Sequence, residues 1–337
     1  MIRVLCPLID LTNDEVKQII KPGICNSDQC ELVSEEVVPW KAGPYKLWRK
    51  AGGDPTTVPA DVLLIHGSYG KVDNYQEFHD RHPQLPVIMI DYKDHADRFF
   101  GTDYIKLKNK AYYFKRSMVN TTTGQLYEYP GITAKHSPYC VREDLLHTMN
   151  TIDVNRDISV SCFFTPKKAI DFKNTIKYNR SVEHPKGHAR GFLADVVDQI
   201  DIPNKHVGTT AAVCQNTGRQ GIDLDIPGSM QHTYATLLRR SKIVVTACPT
   251  NYEGDYRLFE AMSSGALVMH NRMVLPPAGL VEGEHWICYD NSEDLKNKIL
   301  YYSSNQDEAR DIAENGYKFC LNNHRPHHRI EQYLKEL

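Results

Sequence analysis

The chain has 337 residues, of which 41% are hydrophobic and 24% charged, with a formal net charge of −2. That length exceeds what one small core needs and suits two domains. The charge balance excludes a protein that coats nucleic acid or membrane through a global basic field, but leaves room for one local basic cleft. Nine cysteines stand singly, with no CxxC pair, the usage of reduced thiols rather than of a disulfide framework or zinc site. The opening "MIRVLCPLIDLTNDE" has too short an apolar part for a signal peptide, and no stretch reaches the ~18 apolar residues of a membrane span. A cytoplasmic protein with no membrane span is expected.

Along the first half, short Val/Ile/Leu runs alternate with amphipathic segments, as in parallel strands joined by helices. The strands are expected at "IRVLCPLI" (2–9), "ADVLLIHGSY" (60–69), "PVIMIDYKD" (86–94) and "AYYFKRSMV" (111–119). "KVDNYQEFHDRHP" reads as a helix stopped by Pro83. The stretch 21–59, with Pro22, Gly23, Gly52 and Gly53, reads as loops with short pieces. A turn-rich break covers 120–157.

A second alternating series follows. "ISVSCFFT" (158–165), "KHVGTTAAV" (205–213), "KIVVTACP" (242–249), "ALVMH" and "HWICY" read as strands. "RGFLADVVDQI" (190–200), "MQHTYATLLRRS" (230–241) and "DYRLFEAMSSG" read as helices, and so do 292–304, 306–323 and "HHRIEQYLKEL". The expected class is α/β, with two Rossmann-like doubly wound domains facing a cleft. Residues 1–155 form the first, 156–322 the second, and 323–337 a final helix. Ligands of such sheets bind outside the carboxyl ends of the strands.

"NYEGDYRLFEAMSSGALVMH" (251–270) occupies that place after "KIVVTACP". Gly254 permits a positive φ or a close backbone approach. The helix beginning near Asp255 presents free N–H groups suited to a diphosphate, with Tyr256 among the amides of 253–257. Arg257, in the first turn, can add a charged fork to a phosphate. Glu260, three residues on and on the same face, can accept from both ribose hydroxyls. A solvated Arg257–Glu260 pair is the bland alternative. The small, apolar remainder of the helix weighs against it, because an unpaired glutamate in a buried helix is costly.

"YRLFEAMSSGALVMH" resembles the R-x-F-E-A-M-a-x-G core of GT-B glycosyltransferases, closest to the spore-coat-maturation-type branch. "YATLLRRSKIVVTACP" is similar to the helix and strand that precede this core. "GEHWICYDNSEDLKNKILYYSSNQDEARDIAENGYKFCLNNH" is similar to the family's tail. The likeness covers about 230–337, and over 1–225 it is architectural only. It implies a sugar nucleotide in the second domain and a final helix crossing back to the first. It further implies Glu260 on the ribose and Arg257 on the diphosphate side. Glu253 resembles the first acid of the Glu-x7-Glu pattern of retaining enzymes, but six residues, not seven, separate it from Glu260. Asp255 is an alternative occupant.

Arg180, Lys186 and Arg190 are further candidates for the phosphates, Arg190 first because it opens a helix. "DLD" (223–225) has the letters of a metal-binding Asp-x-Asp but follows a turn, so no metal or other cofactor is expected. On the acceptor side, His66 and Asp91 end their strands and are the candidate bases. Lys115 and Arg116 lie in "YYFKR", where strand alternation lets only one face the cleft. Pro326 interrupts "HRPHHR" (324–329), which reads as a polar helix start and not a metal site.

The expected activity is transfer of a sugar from a nucleoside-diphosphate sugar (UDP, GDP or dTDP) to a hydroxyl acceptor. A glycan, protein, metabolite or modified nucleobase in DNA remain open as acceptors. A non-catalytic sugar- or nucleotide-binding protein on the same scaffold is the rival reading. A nucleotide-sugar epimerase would need a G-x-G-x-x-G after the first strand, and none is there.

Overall fold

The computed structural model describes residues 1–6, 16–33, 37–38, 49–50, 59–66, 83–92, 96, 111–120, 125–143, 145–146, 155–164, 190–209, 230–247, 254 and 256–337. The chain divides into two compact units, one of Met1–Met118, Leu126–Pro138 and Arg325–Leu337, the other of Val119–Gln125 and Tyr139–His324.

In the first unit, strands β1 (Ile2–Leu5), β2 (Cys30–Leu32), β5 (Val62–His66), β6 (Val87–Asp91), β7 (Ala111–Lys115) and β8 (Ala134–His136) form a sheet in the order β2-β1-β5-β6-β7-β8. Every pairing is parallel. β5 and β6 are buried along their whole length, which explains their unbroken apolar runs: a central parallel strand is covered on both faces. A small antiparallel pair, β3 (Val37–Val38) with β4 (Arg49–Lys50), stands apart from the sheet.

The stretch from residue 21, read as loops with short pieces, holds such pieces. A π-helical turn, Val16–Ile20, runs into helix α1 (Lys21–Cys25), and β2 follows. The final helix, Pro326–Leu334, packs on α1 at Gly23. A Cβ there would lie 2.6 Å from the Pro326 carbonyl oxygen and 2.5 Å from Ile330 Cγ1, so only glycine permits the approach. The same helix sends Tyr333 to Tyr92 (2.9 Å between hydroxyls) and to Ser137 Oγ (2.5 Å). These contacts make residues 325–337 part of the first unit.

The second unit holds β9 (Ile158–Phe164), β10 (Lys205–Thr209), β11 (Ser241–Thr246), β12 (Leu267–Asn271) and β13 (Ile287–Tyr289), ordered β10-β9-β11-β12-β13 and parallel throughout. Its helices are α2 (Arg190–Asp198), α3 (Met230–Arg240), α4 (Tyr256–Ser263), α5 (Ser292–Ser304) and α6 (Gln306–Asn323); the final helix becomes α7. Val160, Ile243, Val245, Leu267 and Met269 from the strands meet Leu193 and Val197 of α2 and Leu295 and Ile299 of α5 in one core. The strand order reverses between β9 and β11. Sheets of this kind open a ligand crevice at such a point, outside the carboxyl ends.

The boundary expected at 155 differs from the observed division after Pro138. β8, hidden in the turn-rich stretch, still pairs with β7. From Tyr139 onward the contacts belong to the second unit: the Val141 N–H donates to the His324 carbonyl at 2.8 Å, and Tyr139 stacks on Tyr256 with centroids 3.7 Å apart. Two doubly wound parallel sheets in succession are the α/β arrangement expected of a GT-B chain. Among the described residues, no helix is long and apolar enough to cross a membrane.

Candidate functional site

The second sheet's switch point is flanked by α3 and α4. Between β11 and α4, Gly254 has φ +84° and is buried. A left-handed residue at this place turns the chain from strand to helix, and glycine adopts that region without strain. A Cβ would also meet Leu258 Cδ2 at 2.7 Å and Met273 Sδ at 3.3 Å. α4 then starts at Tyr256, whose ring lies against that of Tyr139 at an interplanar angle of 22°.

One polar network ties α4 to its neighbours. The Tyr234 hydroxyl, from α3, donates to Glu260 Oε2 at 2.9 Å. Arg257 Nη1 donates to the same hydroxyl at 3.2 Å, and its guanidinium lies 5.7 Å from the Tyr234 ring centroid. Arg142 Nη1 reaches Glu260 Oε1 at 3.4 Å. Phe163, near the end of β9, meets the Tyr234 ring edge-on at 5.9 Å. Glu260 is 5% exposed, a depth at which a carboxylate needs partners. The Tyr234 hydroxyl and the Arg142 guanidinium provide them, and Arg257 is linked through the same hydroxyl.

The electrostatics follow from burial and proximity. Burial raises the Tyr234 pKa first, and the adjacent Glu260 carboxylate raises it further, so the phenol stays protonated and acts as donor. For Arg257, burial pulls downward, but the Tyr234 oxygen and Glu260 outweigh it and the group stays charged. The site therefore presents two fixed cations, a shared hydroxyl and one carboxylate beside the amino end of a helix. Such ends attract anions. Thr246, at the carboxyl end of β11, adds a buried Oγ1 with no hydrogen-bond partner among the described residues.

Sequence position brought Gly254, Tyr256, Arg257 and Glu260 to this place. Tyr139, Arg142 and Tyr234 were missed. Tyr234 opens the quoted "YATLLRRSKIVVTACP" and so had a signal; Arg142 lies 118 positions from Glu260 and had none. Glu253, Asp255, Arg180, Lys186 and "DLD" lie outside the described residues. Arg190 opens α2, but its side chain lies outside them too.

The first-unit candidates sit at the carboxyl edge of their own sheet and are sealed. Asp91 and Lys115 are both fully buried, with Asp91 Oδ1 3.3 Å from Lys115 Nζ, and the Tyr113 hydroxyl donates to Asp91 Oδ2. Arg116 Nε donates to the Tyr92 carbonyl at 3.2 Å. Both cations of "YYFKR" are therefore buried. The alternation rule does not separate them, because β7 ends at Lys115 and Arg116 lies beyond it. His66 is 2% exposed and its ring lies 5.6 Å from that of Tyr92. Burial lowers its pKa to about 3. His136 is held at about 3 as well, by burial first and then by Arg329 and Arg116.

"HRPHHR" closes α6 at His324 and opens α7 at Pro326, with His328 Nδ1 accepting from the Arg325 N–H at 3.1 Å. Among the described residues, no group of three or more His, Cys, Asp or Glu is placed to hold a metal ion.

Residues 211–335 match a family model described as glycosyl transferase-like. No curated protein matches the chain. Similar solved structures include Anabaena HepE in complex with UDP and glucose, at 13% identity and TM-score 0.46 over 82% of this chain and 78% of that one. A glycosyltransferase from Rickettsia africae has 12% identity and TM-score 0.45, covering 82% and 89%. Sucrose-phosphate synthase from Thermosynechococcus elongatus has 11% identity and TM-score 0.44, covering 83% and 74%. At these values no ligand or reaction transfers from them. The family match spans α3, β11, α4 and the tail, which supply Tyr234, Thr246, Gly254, Arg257 and Glu260 of the site but not Tyr139, Arg142 or Phe163. Over that segment the chain is similar to the glycosyl transferase-like family.

Proposed function

We propose that the protein transfers a sugar from a nucleoside-diphosphate sugar to a hydroxyl acceptor, with the donor held at the amino end of α4. The observation that carries this reading is the Glu260–Tyr234–Arg257 network beside the left-handed Gly254. Backbone amides at the start of α4 and the Arg257 guanidinium suit a diphosphate. Each Glu260 oxygen has a second lone pair beyond its bond to Tyr234 or Arg142, so the carboxylate retains capacity for the two ribose hydroxyls. Tyr234 and Arg142 fix its orientation.

In the reaction, the bond from the anomeric carbon to the diphosphate oxygen breaks and the acceptor oxygen bonds to that carbon. The nucleoside diphosphate leaves with the electron pair. Cations that strengthen their hold as charge develops on the leaving group lower the barrier. In this proposal Arg257 and the α4 amides do this work without a metal. The acceptor's proton goes to a base. Asp91, faced by Lys115, and His66, held at about 3 and buried, are better suited to shaping the first sheet's edge than to taking that proton. The acceptor is a glycan, protein, metabolite or modified base. The dispersed cysteines, joined by no disulfide among those described, support a cytoplasmic setting.

Transfer and donor hydrolysis assayed across UDP-, GDP- and dTDP-sugars test the reading. Glu260→Ala is expected to weaken donor binding by roughly 1.5–3 kcal/mol, the worth of a charged hydrogen bond. Unchanged binding removes the ribose assignment. Binding without turnover of any donor would restore the binding-protein reading.

A further inference from the structure

The second unit has a cavity of about 340 Å³ at the other edge of its sheet, where the parallel strands begin. Ser159 opens from β9, Lys242 and Ile243 from β11, and Gly265 precedes β12; residues of α5 and α6 close the far wall. Donor chemistry belongs to the opposite, carboxyl edge, so this cavity has no part in it.

Its charge is unbalanced. Arg156 Nη1 donates to the Ser241 carbonyl and Nη2 to the Ser264 carbonyl, both at 2.6 Å, with Leu238 O at 3.5 Å. Among the described residues it meets no carboxylate. Burial first, and Arg239 next, lower its pKa to about 10, which still leaves it charged at neutral pH. Lys242 Nζ donates to Gln306 Oε1 at 3.1 Å and likewise meets no carboxylate among those residues. An ammonium has three donors, so among the described residues two are left over. The other charges of the lining are matched: Arg310 by Asp307 at 3.2 Å, Glu314 by Lys318 at 2.6 Å. Among the described residues, two cations therefore remain uncompensated. Ser303, also on the wall, has a buried Oγ without a hydrogen-bond partner among the described residues.

A cavity with surplus positive charge, a spare hydroxyl and an aromatic wall at Tyr302 suits one class of ligand. We propose that it binds a small phosphomonoester of phosphorylated-monosaccharide size. The phosphate would meet the Lys242 ammonium with Arg156 behind it, as point charge and fork commonly do. The volume lies at the small end of the range of ligand pockets, enough for one sugar ring and too small for a nucleotide sugar. Arg156 also holds the carbonyl of Ser264, just past the carboxyl end of α4. The ligand would therefore sit behind the helix whose other end faces the proposed donor. This inference does not depend on the donor reading.

Calorimetric titration of the full chain with a hexose phosphate, inorganic phosphate and the free hexose tests it. The hexose phosphate is expected to bind at millimolar concentration or below, more tightly than inorganic phosphate, with the free hexose weakest. Lys242 is exposed, so Lys242→Glu should fold, and it is expected to weaken hexose phosphate binding by about tenfold or more. Glu260→Ala is expected to leave that binding unchanged, and a nucleoside diphosphate should not compete. An unaltered affinity in Lys242→Glu, loss of binding in Glu260→Ala, or equal affinity for all three probes overturns the proposal. So does the absence of binding at millimolar concentration.

Discussion

The carboxyl edges of the two sheets carry similar residue types and use them differently. At the first sheet, Asp91 and Lys115 have no exposed side-chain surface, and His66 and His136 are held neutral by burial. At the second, Arg257 and Arg142 are partly open; Arg257 donates to the Tyr234 hydroxyl and Arg142 to the Glu260 carboxylate on the first turns of a helix. A charge closed inside a sheet has its partners fixed by the fold. The first arrangement holds structure; the second is the one proposed to hold the donor.

The contrast is broken most directly at Asp91. Asp91→Ala removes the carboxylate facing a fully buried ammonium, and it should destabilise the protein by about 3–5 kcal/mol. Denaturant unfolding measures it. A variant of normal stability that has lost transfer activity would make Asp91 a participant in the reaction and erase the distinction between the edges.

The buried histidines sharpen the same comparison through pH. His66 titrates near 6.5 when unfolded and at about 3 when folded. Between those values the unfolded chain binds a proton that the folded chain refuses. The stability present above pH 6.5 is therefore lost as pH falls toward 3, at up to about 1.4 kcal/mol per pH unit for one group. His66→Gln should flatten this acid limb in unfolding curves recorded across the window. An unchanged limb would mean that His66 is reached by water and protonated in the folded state.

Gly254→Ala probes the other edge. The substitution forces a side chain into φ +84° and places Cβ 2.7 Å from Leu258 Cδ2. About 1–3 kcal/mol of strain is expected, seen as lower stability together with weaker donor binding. Loss of stability alone, with donor affinity intact, would detach this loop from the diphosphate.

The sequence made some of this legible and hid the rest for physical reasons. Long buried strands such as β5, β6 and β11 announce themselves because a parallel strand needs apolar residues on both faces. Glycine, arginine and glutamate spaced along α4 were readable because one helix fixes their relative positions. β2 and β8, three residues each, were not, since "CEL" and "AKH" have no period and exist as strands only through β1 and β7. The early boundary at Pro138 was lost with β8. Arg142 is invisible for a related reason: its place beside Glu260 is made by tertiary packing, which no local spacing encodes. The closure of Asp91 by Lys115 follows from strand register, where Asp91 lies opposite Lys115, a pairing that neither strand's own residues encode.

The smallest expected effect is the most discriminating. Tyr234 stands between Arg257 and Glu260, accepting from one and donating to the other. Tyr234→Phe keeps the ring against Phe163 and the guanidinium over its face, and removes only the oxygen. Stability should fall by about 1 kcal/mol, one hydrogen-bond equivalent in a polar network. If Glu260 holds the ribose, its loosened carboxylate should also weaken donor binding by a similar amount, raising the Kd about fivefold. If the network merely satisfies a buried helix face, stability falls and the Kd does not move. Measuring both on one variant separates binding from structure at the residue where the two readings meet.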